Sequence, residues 1–155
     1  MDMALQSDMD ETFMLSALEQ AERSAAMGEV PVGAVIVKDG RIIAVGCNMK
    51  ETTNDPTAHA EIQAIRAAAK ALQSWRLLDT TMYVTLEPCV MCCGALVHAR
   101  VRRLVYGAPD PKSGAVDSLF NIVTDERLNH RLEVRGGVLA QRCGDLLREF
   151  FRNKR

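Results

Sequence analysis

His59, Glu61, Cys89 and Cys92 are the residues whose types and spacing could do chemistry in this 155-residue chain. They fall in two short stretches, Thr57-Ala58-His59-Ala60-Glu61 and Glu87-Pro88-Cys89-Val90-Met91-Cys92-Cys93. The pattern is H-x-E followed, after an interval of ~30 residues, by P-C-x-x-C. One imidazole and two thiolates supply three ligands to a single Zn²⁺ and leave its fourth tetrahedral position open, which is the arrangement of a catalytic site and not of a closed structural one. A water in that position ionises with its pKa drawn towards ~7, which makes it a hydrolytic nucleophile. Glu61 suits a proton shuttle that takes a proton from this water and returns it to a ring nitrogen and the leaving amine. As a fourth ligand it would leave no shuttle, so it is assigned to acid–base work alone.

Local structure must position these groups. Cys89 and Cys92 are three apart, so at the start of a helix they share a face, and Pro88 suits the first turn of that helix. A helix N-terminus favours the thiolate that a metal needs. His59 is expected in the first turn of another helix, so two helix N-termini converge on one ion. Glu61 is two residues from His59 and reaches the same point only because both lie near a helix end. Cys93 points about 100° away from its neighbour and is read as a packing residue. Cys47 and Cys143 are read as buried apolar thiols.

The rest of the chain supplies the frame. Its 155 residues suffice for one domain, residues 1–155, with one sizeable core. The hydrophobic content is 48% with no apolar run of the ~18 to 20 residues that a membrane span needs. The N-terminus has neither a basic start nor an apolar core, which argues against a signal peptide. Five cysteines, odd in number and unevenly spaced, read as intracellular thiols and ligands and place the chain in the cytoplasm. Residues 1–97 hold seven Lys/Arg against thirteen Asp/Glu, and residues 98–155 hold twelve against seven. That basic C-terminal part suits either a polyanionic partner or a solvated surface.

Residues 1–8 read as frayed. Asp10 is placed as the cap of a helix to about Met27, with Phe13, Met14, Ala17, Leu18, Ala21 and Ala25 on its apolar face and Gly28 stopping it. Val32–Val37 and Arg41–Val45 form a hairpin about Asp39-Gly40. A polar loop from Met49 to Asp55 leads to an alanine-rich helix opening at Pro56-Thr57 and running to about Gln73. Met82–Leu86 is a third strand, and the helix after Pro88 continues to about Ala99. Arg103–Gly107 is a fourth strand, Arg135–Val138 a short fifth, and a last helix from about Ala140 buries Leu146, Leu147, Phe150 and Phe151. Strands alternating with helices after a hairpin give a three-layer α/β/α domain. The 108–132 connection is long for a compact domain, which is common where loops carry function.

With these residues placed, the chain resembles the cytidine deaminase-like superfamily, and within it the bacterial tRNA-specific adenosine deaminases. The motifs that carry this are Asp55-Pro56-Thr57-Ala58-His59-Ala60-Glu61, Leu86-Glu87-Pro88-Cys89-Val90-Met91-Cys92, Asn129-His130-Arg131 and the basic ending that holds Phe150-Phe151-Arg152. The resemblance implies a five-stranded mixed sheet of order 2-1-3-4-5 with helices on both faces, and a homodimer. It implies zinc-dependent conversion of adenosine to inosine at the wobble position of a tRNA anticodon stem-loop, by attack on C6, with no organic cofactor and no membrane. It carries over to Asn48 as a hydrogen-bonding residue for the base, to Val30 as pocket wall, and to Asp110 as a contact to a neighbouring ribose. A carboxylate can accept from a 2′-OH, which DNA lacks. From position alone, Asn48 is equally a strand-end turn cap and Asp110 a loop Asx turn. Phe151 and Arg152 suit stacking and phosphate contact with an RNA loop. His98 and His130 have no partner spacing and read as capping, packing or RNA-contacting residues. Pro109 and Pro111 bracket Asp110 rigidly, and Cys93 stands where another small residue is more usual.

Two rival readings share the motif. One is a deaminase of a free base or nucleoside, of guanine or cytosine type, which the basic C-terminal part disfavours. The other is a non-catalytic zinc-binding interaction domain with Cys47 or Cys143 as fourth ligand, which leaves Glu61 without a purpose.

Overall fold

In the computed structural model, which describes residues 2–154, five strands form one sheet of order β2-β1-β3-β4-β5. In chain order the elements are α1 (Met3–Ala26), β1 (Gly33–Lys38), β2 (Arg41–Cys47), α2 (Lys50–Thr53) and α3 (Ala60–Leu72), then β3 (Thr80–Leu86), α4 (Val90–His98), β4 (Arg103–Ala108), β5 (Glu133–Arg135) and α5 (Ala140–Asn153). β1 pairs antiparallel with both β2 and β3, while β3–β4 and β4–β5 are parallel, so the sheet is mixed as expected.

Alternation along the central strands builds the two cores. Ala34, Ile36, Met82, Val84, Leu104 and Tyr106 face one side, where they meet Ala60, Ala64 and Ala68 of α3 and Leu96 of α4. Val35, Val37, Tyr83 and Val105 face the other, against Met14, Ala17 and Leu18 of α1 and Cys143 of α5. Alanines and glycines let helices and sheet approach closely. A Cβ on Gly46 would lie 2.3 Å from the Ala60 carbonyl oxygen, and one on Gly33 would lie 2.1 Å from that of Ala17. These contacts hold α3 so low on β2 that its N-terminus is fixed beside the end of the sheet.

Several local expectations are corrected. Of residues 1–8, expected to fray, 3–8 are the first turns of α1 and Asp2, whose side chain accepts from the Ala4 amide at 3.2 Å, is the N-cap, while Met1 lies outside the described residues. Asp10 is a fully buried mid-helix residue. The Met49–Asp55 segment contains α2, and the alanine-rich helix starts at Ala60, three residues later than expected. β5 precedes the Gly-Gly pair instead of containing it, and Gly137, with a φ of +83°, is outside strand geometry. On α5 only Cys143 and Gly144 are buried, and Phe151 is half exposed. No described helix is long and apolar enough to cross a membrane.

Candidate active site

α3 and α4 each begin with a ligand-type residue in the N-cap position: His59 before Ala60, and Cys89 before Val90, both with extended backbone. Neither side chain caps its own helix. N-cap positions usually hold Ser, Asn or Asp, and giving up such a cap costs about 0.5–2 kcal/mol. Here both side chains turn away from their helices and towards each other. Cys89 Sγ lies 3.7 Å and Cys92 Sγ 3.5 Å from His59 Nδ1. The three donor atoms lie within 4.8 Å of one another and could hold a metal ion; among the described residues this is the one such group. Both helices thus start later than expected: His59 and Cys89 are caps, not first-turn residues, and Pro88 precedes the cap. Cys47 and Cys143 lie outside the cluster.

Glu61 is the second residue of α3 and is buried. Burial is the main reason that its pKa rises to about 7, with the Cys89 charge adding to it and His59 opposing it. A carboxyl poised near neutrality can both take and give a proton under ordinary conditions. Cys89 moves the other way: hydrogen bonding from Cys92, then from His59, outweighs desolvation and lowers its pKa to about 3. The site therefore favours a thiolate at the mouth of α4, where the helix N-terminus also favours it.

These groups floor a cavity of about 190 Å³ that is also lined by Val30, Asn48, Lys50, Leu86, Glu87, Asp110 and Ser113. That is below the ~300–1,000 Å³ of pockets for drug-sized ligands and is on the scale of a single ring system. Val30, Asn48 and Asp110 are thus brought to the site. Phe151 and Arg152 are not among the lining residues; they lie on the outer surface of α5 with Leu147 and Arg148.

Asn48 and Asp110 also fill the local roles that their positions suggest. Asn48 is buried, its Nδ2 donates to the Val30 carbonyl at 3.1 Å, and its Oδ1 accepts from the Lys50 amide at 3.3 Å. Its side chain ties β2 to the Val30 wall and retains one amide proton and one lone pair. Asp110 Oδ1 accepts from the Lys112 and Ser113 amides at 3.1 and 3.2 Å, an Asx turn that leaves Oδ2 without a partner in that turn. Cys93 is fully buried with its Sγ 3.6 Å from the Pro88 carbonyl, as a packing residue. The His130 ring meets the Val101 carbonyl at 2.7 Å and ties the long connection to the start of β4. His98 is exposed at the end of α4.

Two carboxylates escaped sequence reasoning. Glu29 is buried and accepts from the Glu51 and Thr52 amides at 3.2 and 2.6 Å, so it anchors the first turn of α2 beside the cavity. Glu87 is buried and accepts from the amides of Asp110, Val116, Asp117 and Ser118 and from the Ser118 hydroxyl. Burial raises its pKa, but these donors outweigh it and hold the carboxyl at about 2. The one signal in the sequence was an acidic residue directly before Pro-Cys. Its partners lie 23 to 31 residues further on, where no local pattern points to them.

Comparison with known proteins agrees with this geometry. A family model described as MafB19-like deaminase matches residues 7–155. The chain is 52% identical over 152 residues to the tRNA-specific adenosine deaminase of Haemophilus influenzae, covering 97% of this chain and 88% of the relative. Among solved structures it is similar to one from a study of A-to-I editing by tRNA:A34 deaminases at the wobble position of transfer RNA. The TM-score is 0.85 at 46% identity, over 88% of this chain and 99% of that one. A guanine deaminase from Nitrosomonas europaea is similar at TM-score 0.79 but 28% identity, over 90% of this chain and 83% of that one.

Proposed function

We propose that this chain, which belongs to the MafB19-like deaminase family and within it groups with the tRNA-specific adenosine deaminases, hydrolyses adenosine to inosine at the wobble position of a tRNA anticodon. The observation that carries the chemistry is the meeting of His59, Cys89 and Cys92 over the buried Glu61. Identity near one half to a tRNA-specific enzyme, against 28% to a guanine deaminase, supports the tRNA substrate over a free base.

The donor set fits one Zn²⁺. Tetrahedral zinc, with sulfur at about 2.3 Å and nitrogen at about 2.05 Å, places the two about 3.6 Å apart. The observed separations are 3.7 and 3.5 Å. His59, Cys89 and Cys92 would hold the ion, which when bound supplies a Lewis acid that makes water a nucleophile at neutral pH.

The chain's own groups do the rest. Glu61 takes a proton from the attacking water and gives it to the ring nitrogen next to C6. It then takes a second proton from the new C6 hydroxyl and gives it to the amine, which leaves as ammonia when the C6–N bond breaks. Its burial excludes bulk water from that transfer and brings its pKa near the working pH. Val30 walls the base, and the free amide proton of Asn48 reaches it. Asp110 stands at the rim, where the Oδ2 left over from the Asx turn can accept from a ribose 2′-OH. Phe151 and Arg152, exposed on α5, extend this reading beyond the pocket to stacking and phosphate contact with the loop. A cytoplasmic homodimer completes the proposal. Val90, Leu119 and Phe120 are each about half exposed, as large apolar side chains covered by a second copy would be in one copy alone.

The test is to incubate the protein with a synthetic anticodon stem-loop carrying a wobble adenosine, and separately with adenosine, adenine, guanine and cytosine. Inosine in the stem-loop, with little turnover of the free compounds, is the expected result. Faster turnover of a free base would reverse the substrate assignment.

A further inference from the structure

Outside the metal cluster, two buried carboxylates among the described residues each accept five hydrogen bonds, Asp10 and Glu87, and Glu87 is the one beside the site. This residue directly follows β3 and directly precedes the Pro88-Cys89 of the metal motif. Its Oε2 accepts from the amides of Val116, Asp117 and Ser118 at 3.1, 2.8 and 2.9 Å. Its Oε1 accepts from the Asp110 amide at 3.0 Å and the Ser118 hydroxyl at 2.5 Å. The loop is built around this carboxylate: a Cβ on Gly114 would lie 2.3 Å from the Glu87 carboxyl carbon, so only glycine leaves room. The Ala115 amide adds a bond to the Pro88 carbonyl at 2.9 Å, and the Tyr106 hydroxyl holds Asp117 at 2.5 Å. A segment without helix or strand is thereby fixed to the residue two before a ligand.

We infer that Glu87 is a positioning residue: its carboxylate straps the 110–118 loop to the metal motif and so sets where Asp110 stands at the pocket mouth. The inference rests on the reading of Asp110 as a substrate contact. Its physical basis is that a buried carboxylate has acceptor sites only, and here all of them face donors. Glu87→Gln breaks this selectively. The three amides at Oε2 demand the amide oxygen, which puts the new NH₂ where Oε1 stood. The Ser118 hydroxyl can reverse and accept from it, but the Asp110 N–H then faces another donor.

The experiment takes the zinc-loaded full chain and compares wild type, Glu87→Gln, Asp110→Ala and the double variant. Hydrogen exchange of peptides spanning residues 109–118 reads the strap without any substrate. Exchange there is expected to rise about tenfold in Glu87→Gln, while peptides from α3 and α4 keep their wild-type rates. Zinc stays at one per chain, and the deaminase KM on the anticodon stem-loop rises about tenfold with a smaller change in kcat. The double variant is no weaker than the more severe single, since both changes act on the same interaction with substrate. Unchanged exchange, loss of zinc, or losses that multiply in the double variant would each overturn the proposal. A Glu87→Gln with wild-type KM beside an impaired Asp110→Ala overturns the proposal alone. A wild-type KM in Asp110→Ala overturns the reading of Asp110 and the proposal with it. Ser118→Ala, at an exposed position, is run in parallel in case Glu87→Gln does not fold. It is expected to move exchange in the same direction by less, and no movement in a folded Ser118→Ala counts against the strap.

Discussion

Cys89 Sγ stands 3.7 Å from His59 Nδ1, so the N-caps of two separate helices face each other across the floor of the pocket. Both helices point their partial positive ends at one place, which favours thiolate there. A cation that neutralises the thiolates also ties α3 to α4. Removing it with a chelator is expected to lower the thermal midpoint, and readdition of zinc to restore it. Metal at 1,000-fold over its dissociation constant contributes about 4 kcal/mol of stability by linkage. Cys92→Ala should abolish both the activity and the zinc-dependent shift in midpoint. Equal midpoints with and without zinc in the wild type would count against this bridge.

A second prediction concerns Asp10, far from any recognisable motif. Arg103 meets both of its oxygens at 2.8 Å, Arg135 adds a contact at 2.8 Å, and the Tyr83 hydroxyl donates at 2.7 Å. Burial raises the Asp10 pKa, but Arg103, Tyr83 and Arg135 outweigh it and hold the carboxyl well below the usual range. A depressed folded pKa contributes stability that is complete above the unfolded value of about 3.9 and is lost as pH falls below it. Asp10→Ala strands two guanidinium groups and is expected to cost about 3–5 kcal/mol at pH 7. In urea titrations at pH 7 and at pH 3, wild type should lose more stability than Asp10→Asn. Parallel losses would show that this carboxylate is not what titrates.

These two sites show where a sequence is legible. H-x-E and P-C-x-x-C could be placed because the residues within each half sit within four of one another at a helix end, where geometry is local, although the halves themselves lie 30 and more residues apart. Val32–Val37 and Met82–Leu86 could be placed as strands from their apolar, β-branched runs, but such runs do not tell which side of the sheet each residue faces. Asp10 could not be read, because a capping aspartate and a buried one look alike until Arg103 and Arg135 arrive from 93 and 125 residues away. Glu29 and Glu87 were opaque on similar grounds, since their partners are backbone amides, which every residue but proline carries. β5 is three residues long and held by β4, too short for a periodicity of its own.

The third prediction tests discrimination between RNA and DNA. Adenine is the same in both, so the distinction must come from the sugar or from loop shape. With a deoxyribose, Asp110 has no donor and faces nearby phosphates. Asp110→Asn is expected to lower activity on the RNA stem-loop modestly and to raise relative activity on the matching deoxy-oligonucleotide. An unchanged RNA-to-DNA ratio of kcat/KM would remove Asp110 from the recognition surface.

The fourth concerns the basic end of α5. Truncation after Phe151 removes Arg152, Lys154 and Arg155, and is expected to weaken RNA binding and flatten its salt dependence. The log–log slope should fall by roughly 0.7 for each single-strand phosphate that the shortened chain no longer neutralises. Turnover on saturating RNA should persist. A slope equal to that of the full chain would return these charges to ordinary solvated surface.

The central claim is that Glu61 moves protons beside a metal it does not bind. Glu61→Ala, assayed for zinc and for inosine formation in the same preparation, addresses it directly. One zinc per chain should remain while turnover falls ~10²- to 10⁴-fold, the usual contribution of a positioned acid–base group. Loss of zinc together with activity would put Glu61 among the ligands and contradict the mechanism.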